Sequence, residues 1–254
     1  MSLIAALRPS PIAGTWYEGR PEDLARQVDE YLDRAELPEI PGQVLAVIAP
    51  HAGHRYSGPV AGYAFAAIRG RTPELVAVVS PMHHPYSQPL LTSAHEGYAT
   101  PLGPIAIDKK ALSELDEELQ DELGYGLTPV ANDPEHSLEI ELPFLQRALG
   151  AEFELLPLMV RAQEPEVAQT LGKALAGVLR ERKALLVAST DLSHFFAQDT
   201  ANQLDAEMLR QFEAFSPEGV FEAERTGKGF ACGHAAVAAV LWACRELGAD
   251  TVQV

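Results

Sequence analysis

Three runs in the chain are apolar without interruption and end at turn-forming residues: Val44-Leu45-Ala46-Val47-Ile48-Ala49, Leu75-Val76-Ala77-Val78-Val79 and Ala184-Leu185-Leu186-Val187-Ala188. A strand wetted on one face alternates apolar with polar; a strand buried on both faces does not, so these runs read as strands of a parallel sheet covered on either side. A shorter strand is expected at Phe153–Leu156. Between the runs the apolar positions recur at helical spacing. Leu24, Val28, Tyr31 and Leu32 make one stripe of a helix over Pro21–Ala35, with the proline in the first turn, where its missing N–H has no partner to lose. Further helices are expected over Gly58–Ile68, Lys109–Glu122, Pro134–Leu149, Pro165–Arg182, Asp199–Phe215 and Gly233–Leu247. Asp133 reads as an acidic N-cap ahead of Pro134, and Pro143 must kink or interrupt the helix so opened. Ile12–Glu18 and Gly124–Thr128 read as loops. Strands alternating with helices predict an α/β fold, one domain over residues 1–254 with a central, mostly parallel sheet flanked by helices.

Charge narrows the partners. Lys and Arg number 19 against 36 Asp and Glu, a net charge of −17. Such a surface repels phosphate backbones and anionic lipid, which argues against nucleic acid and membranes as partners. The longest apolar stretches, such as Val44–Ala49 and Ala235–Ala243, fall short of the ~20 residues that span a bilayer, and no signal-like N-terminus is evident, so a cytoplasmic protein is expected. The two cysteines, Cys232 and Cys244, would lie about 18 Å apart along the last helix at ~1.5 Å per residue, too far for a disulfide.

The candidate chemistry sits just past the core strands. His51 and His54 follow the first run, His83 and His84 the second, and Asp191 and His194 the third, so five of the eight histidines lie at carboxyl ends of strands. In open α/β sheets that edge is where ligands bind. Neutral imidazoles converging from separate loops suit Fe, Zn or Cu. Asp191 can bind metal or accept a hydrogen bond from an imidazole, and the second role is preferred. Cys232 precedes a helix start, where a thiol meets the positive end of the dipole; ligand and structural turn residue both stay open for it. Cys244 reads as a small buried hydrophobe. His136 and Glu139 would share a helix face, with capping and surface pairing ahead of ligation and a substrate contact as the remaining option.

Seven segments in order carry a resemblance over nearly the whole chain: Ala13-Gly14-Thr15-Trp16-Tyr17, Pro50-His51-Ala52-Gly53 with Tyr56-Ser57-Gly58, Pro81-Met82-His83-His84, Thr100-Pro101-Leu102-Gly103, Glu135-His136-Ser137-Leu138-Glu139, Thr190-Asp191-Leu192-Ser193-His194 and Cys232-Gly233. Together they resemble the Memo family, called protein B of the AmmeMemoRadiSam system in bacteria. Its fold is similar to that of the class III extradiol dioxygenases, which hold iron(II) with two histidines and a glutamate beside an acid–base histidine. The resemblance implies His51, His83 and Cys232 as metal ligands, with Cys232 in the place of the glutamate. It implies His194 as the acid–base group, with Asp191 beside it, and Trp16, His84, Glu135 and His136 as substrate contacts. Iron(II) is the expected cofactor, and a thiolate in place of carboxylate admits copper or zinc. The expected activity is that of a dioxygenase-like oxidoreductase on a small, aromatic substrate. The alternative is a metal-handling or partner-binding module that keeps the fold, its partners by family resemblance a radical SAM enzyme and an AMMECR1-like protein. Against the family pattern, His54, Ser80, Met82 and Phe195 are departures expected to change the pocket lining more than the ligation, and a further strand is usual beyond the point matching Val254.

Overall fold

The computed structural model describes residues 6–254, so the first five residues of the expected domain lie outside the described residues. In chain order the elements are β1 (Leu7–Arg8), α1 (Pro21–Arg34), β2 (Ala46–Ala49), α2 (His54–Ala66), β3 (Leu75–Pro81), β4 (Leu90–Ser93), β5 (Gly97–Thr100), β6 (Gly103–Ala106), α3 (Lys109–Leu123) and β7 (Thr128–Val130). A 3-10 turn (Glu139–Glu141) then leads into α4 (Leu142–Ala148), β8 (Glu154–Val160), α5 (Pro165–Leu179), β9 (Ala184–Ser189), α6 (Gln198–Glu213), α7 (Pro217–Arg225) and α8 (His234–Glu246).

The main sheet has the order β2-β9-β3-β8-β4-β7, parallel throughout except where β4 runs against β8. A small second sheet orders β1-β5-β6. β3 explains why its run needed no alternation. Leu75, Ala77 and Val79 pack with α3, α5 and α8 on one face, while Val76 and Val78 pack with α1, α2 and α4 on the other. Its seven residues are all buried, which at ~25 cal/mol per Å² of apolar surface makes the covered strand a principal source of cohesion. α5 and α8 touch at backbone distance: a Cβ on Gly172 would stand 2.5 Å from the Ala239 carbonyl oxygen, so Gly172→Ala must push the helices apart.

The α/β sheet stands as expected, with corrections at several elements. No helix begins at Pro134; residues 134–138 are irregular and the first helical turn is at Glu139–Glu141. Asp133 is no N-cap, because its carboxylate is taken by Arg8 Nε at 2.9 Å and Nη2 at 2.8 Å, across 125 residues. Pro143 does break the helical path, sitting in the first turn of α4. β8 is longer than expected and lies inside the sheet, α5 stops at Leu179, and α7 and the strands β1 and β4 to β7 were not foreseen. Gly124 ends α3 with φ 77°, as the expected loop allows, but Thr128 already belongs to β7. No helix among the described residues is long and apolar enough to cross a membrane.

Candidate metal centre

Strand order builds the site. β2, β9 and β3 are neighbours running the same way, at ~4.8 Å spacing, so the three loops leaving their carboxyl ends emerge side by side within about 10 Å. From the β2 loop comes His51, 1% exposed, its amide donating to Asp191 Oδ1 at 2.8 Å with the Ala52 amide beside it at 3.1 Å. From the β3 loop comes His83, whose amide donates to Glu135 Oε2 at 2.6 Å and whose Nδ1 lies 2.9 Å from Glu135 Oε1. The irregular segment after β7 brings His136, stacked on His83 at 4.8 Å between ring centroids and roofed by Trp16 at 4.2 Å. One ring nitrogen from each of His51, His83 and His136 lies within 4.8 Å of the others.

Cys232 completes the cluster. Its Sγ is 3.1 Å from His51 Nε2, accepts from the Asp191 amide at 3.3 Å, and is hydrogen-bonded to His83. Glycine makes this approach possible: a Cβ on Gly233 would fall 2.3 Å from the Ser189 carbonyl oxygen, so any other residue would lift Cys232 off the end of β9. α8 begins only at His234, so the thiol sits just ahead of the first turn.

The electrostatics follow the geometry. Burial alone would push the Glu135 carboxyl up, but the His83 ring and the amides of Ser137 and His83 outweigh it and hold Glu135 well below the usual carboxylate range. Burial pushes His83 down, yet its hydrogen bonds to Cys232 and Glu135 carry it up to about 10. Burial pushes His51 well below the ordinary histidine value, and His136 to about 4, in both cases leaving the imidazole neutral. Asp191 is raised by burial, partly offset by the two amides it accepts from.

These donors fit a metal ion. Bonds of ~2.0–2.3 Å in a tetrahedral shell set ligand atoms about 3.5 Å apart. The 3.1 Å His51–Cys232 separation and the 4.8 Å limit among the histidines bracket that value. His83 must give up its proton to ligate, so binding releases protons. Glu135→Gln removes the charge that orients His83; metal affinity is expected to fall about 10–100-fold, as for other carboxylates that support metal-bound histidines. Titration of the metal-free variant with Zn²⁺ measures it, and an unchanged affinity would contradict the assignment.

Of the residues singled out in the sequence, His51, His83 and Cys232 are brought together, and His136 joins them. The expected shared face of His136 and Glu139 does not exist: Glu139 turns inward to Arg8 at 2.6 Å and Tyr17 at 2.7 Å because the segment between them is not helical. Glu135 is 1% exposed and spends its oxygens on His83 and on backbone amides. Asp191 acts on His194 through charge, with no hydrogen bond between them among the described residues. Its Oδ1 is occupied by the amides of His51 and Ala52, while His194 Nδ1 lies 2.9 Å from the Leu192 carbonyl oxygen. His194 is exposed, packed edge-on to Phe195 and Phe230 and within electrostatic reach of His51. His84 is half-buried next to His83, its carbonyl accepting from Arg161 at 3.2 Å. Ser80 and Met82 are both buried at the end of β3. Cys244 is buried as expected, its thiol pushed up to about 12 by burial.

His54 is likewise a core residue, 1% exposed among the rings of Tyr17, Tyr31 and Phe144. Burial lowers it from 6.5 to about 4. Between those values the unfolded chain binds a proton that the native chain refuses. The stability tied to this site is therefore whole above 6.5 and is lost as pH falls toward 4. His54→Phe is expected to flatten that limb of the urea midpoint against pH, and a limb as steep as in the parent would contradict it.

Arg8, Ser189 and Glu141 support the site and were not anticipated. Glu139 and Glu141 did leave a signal, two acids inside the apolar run Leu138–Leu142.

The family described as Memo-like protein matches residues 8–254. Similar proteins include the MEMO1 family protein of Nitrosopumilus maritimus, 30% identical over 96% of this chain and 89% of its own length. Those of Methanopyrus kandleri, 30% identical over 96% and 88%, and Methanothermobacter thermautotrophicus, 32% identical over 96% and 90%, are comparable. With its strand-end histidines gathered at one sheet edge and a match running through the last residue, the chain belongs to the Memo-like family.

Proposed function

We propose that this protein is a metal-dependent, dioxygenase-like oxidoreductase that holds iron(II) with His51, His83 and Cys232 and acts on a small, aromatic substrate in the cytoplasm. The observation that carries the reading is the convergence of these donors at an open sheet edge beside His194, an exposed imidazole on a loop of its own. Bound iron would supply Lewis acidity and redox chemistry. The chain's own groups do the rest. Trp16, tilted 38° over the His136 ring, gives the substrate an aromatic surface to lie against, His84 is within electrostatic reach of His136, and Glu135 keeps His83 in place. His194, exposed and held through Nδ1 by the Leu192 carbonyl oxygen, is the group placed to take a proton from a substrate hydroxyl.

One observation favours a second reading. With His136 as a fourth donor the shell would close, as in structural and storage sites, and a thiolate among imidazoles suits copper or zinc. The chain would then handle metal, or present it to a protein partner such as a radical SAM enzyme or an AMMECR1-like protein, without catalysis. Oxygen uptake by the iron-loaded protein with a panel of catechols decides between the two. Turnover that His194→Ala abolishes, with metal content unchanged, is expected; no turnover in either protein would sink the enzyme and leave the handling reading.

A further inference from the structure

Behind His51, on the side away from the cleft, three polar groups meet at one hydroxyl. Ser189 is the last residue of β9 and is fully buried. Its Oγ lies 2.7 Å from the Ser137 carbonyl oxygen, 2.7 Å from Glu141 Oε1 and 2.9 Å from His51 Nδ1. A hydroxyl has one proton to give and two lone pairs to receive with. The carbonyl can only accept, so the Ser189 proton goes to Ser137. Both remaining partners must then donate: Glu141 carries a proton on Oε1, and His51 carries its proton on Nδ1. That tautomer leaves a lone pair on Nε2, the atom that faces Cys232 Sγ at 3.1 Å.

We propose that Glu141 is a neutral, hydrogen-donating acid and that Ser189, held between it and the Ser137 carbonyl, is a positioning residue that locks His51 in the tautomer with Nε2 open as a ligand. Other features of the site agree with this proton count. Glu141 is completely buried, and its Oε2 has no hydrogen-bond partner among the described residues. An ionised carboxylate there would be an uncompensated interior charge, several-fold more costly than an unpaired carbonyl oxygen. Burial holds this carboxyl well above its ordinary range, and the charged group acting on it, Asp191, is of like sign. A ligand histidine needs its second nitrogen fixed by a hydrogen bond, usually from a carboxylate or backbone carbonyl. Here the fixing group is a hydroxyl whose own proton is committed elsewhere.

The proton placement concerns the metal-free chain; its consequence for affinity rests on the metal reading above, and the two are tested apart. In ¹⁵N-histidine-labelled, metal-free protein, with His51 assigned by its loss in His51→Gln, the two-bond correlation spectrum is expected to show a neutral ring protonated on Nδ1. The infrared spectrum at neutral pH is expected to hold a protonated-carboxyl band that disappears in Glu141→Gln, whose amide N–H still donates to Ser189 and so leaves the His51 pattern intact. Ser189→Ala is expected to release the tautomer into a mixture and to weaken Zn²⁺ binding about 10–100-fold. A His51 ring protonated on Nε2 in the parent protein would overturn the proposal, as would no change in the carboxyl region on Glu141→Gln. A correct tautomer with unaltered Zn²⁺ affinity in Ser189→Ala would overturn its link to ligation and leave the metal reading itself untouched.

Discussion

Replacing His51 by alanine is expected to take the purified chain from one bound metal ion to none detectable by elemental analysis, with His83→Ala behaving alike. His51 is the most enclosed of the three histidines, 1% exposed, and its Nε2 lies 3.1 Å from Cys232, so its loss opens a gap in the middle of the donor set. Binding of a structural ion contributes on the order of 10 kcal/mol through three or four donors, and removing one costs several orders of magnitude in affinity. Cys232→Ser makes a finer prediction. Oxygen in place of sulfur hardens the site, so iron should be kept better than copper or zinc. Metal retained at parental levels in His51→Ala would mean that the ion sits elsewhere.

Arg8→Met is expected to destabilise the fold by about 3–5 kcal/mol, read from urea unfolding, because it strands two buried carboxylates. Arg8 is itself 1% exposed, and its guanidinium meets Asp133 at 2.8 Å and Glu139 at 2.6 Å, both with fully buried side chains. It also donates to the backbone oxygens of Asp133 at 3.0 Å and Glu135 at 2.6 Å. That clamp holds the irregular segment that carries Glu135 and His136, so the variant should lose metal affinity well below its unfolding transition. Adding Asp133→Asn and Glu139→Gln to Arg8→Met should recover part of the stability, since the stranded charges are then gone. A loss within about 0.5 kcal/mol, typical of surface substitutions, would contradict the clamp.

What could be read in the sequence was what local pattern determines. The β2, β3 and β9 runs announce themselves because a strand covered on both faces is continuously apolar, and the candidate ligands His51 and His83 follow from the rule that parallel strands open their carboxyl ends to ligands. β7 is hard to read because Thr128-Pro129-Val130 is short and contains a proline, which suits its place at the sheet edge. Asp133-Pro134 has the pattern of a helix start and so predicts His136 on a helix; the fate of Asp133 is decided instead by Arg8, 125 residues away. The family resemblance sets Asp191 beside His194, but the hydrogen bonds to its carboxylate come from amides of the neighbouring strand's loop, which no local pattern announces. The family resemblance placed Cys232 among the ligands, but its approach to β9 depends on Gly233 passing under a backbone carbonyl, a contact no local pattern encodes.

The claim on which the rest depends is that one ion binds to sulfur and imidazole together at this sheet edge. X-ray absorption at the metal edge of the loaded protein tests it most directly. The prediction is one sulfur scatterer at ~2.3 Å with two or more imidazole nitrogens near 2.1 Å, the sulfur vanishing in Cys232→Ala. A shell of oxygen and nitrogen alone in the parent protein would contradict it.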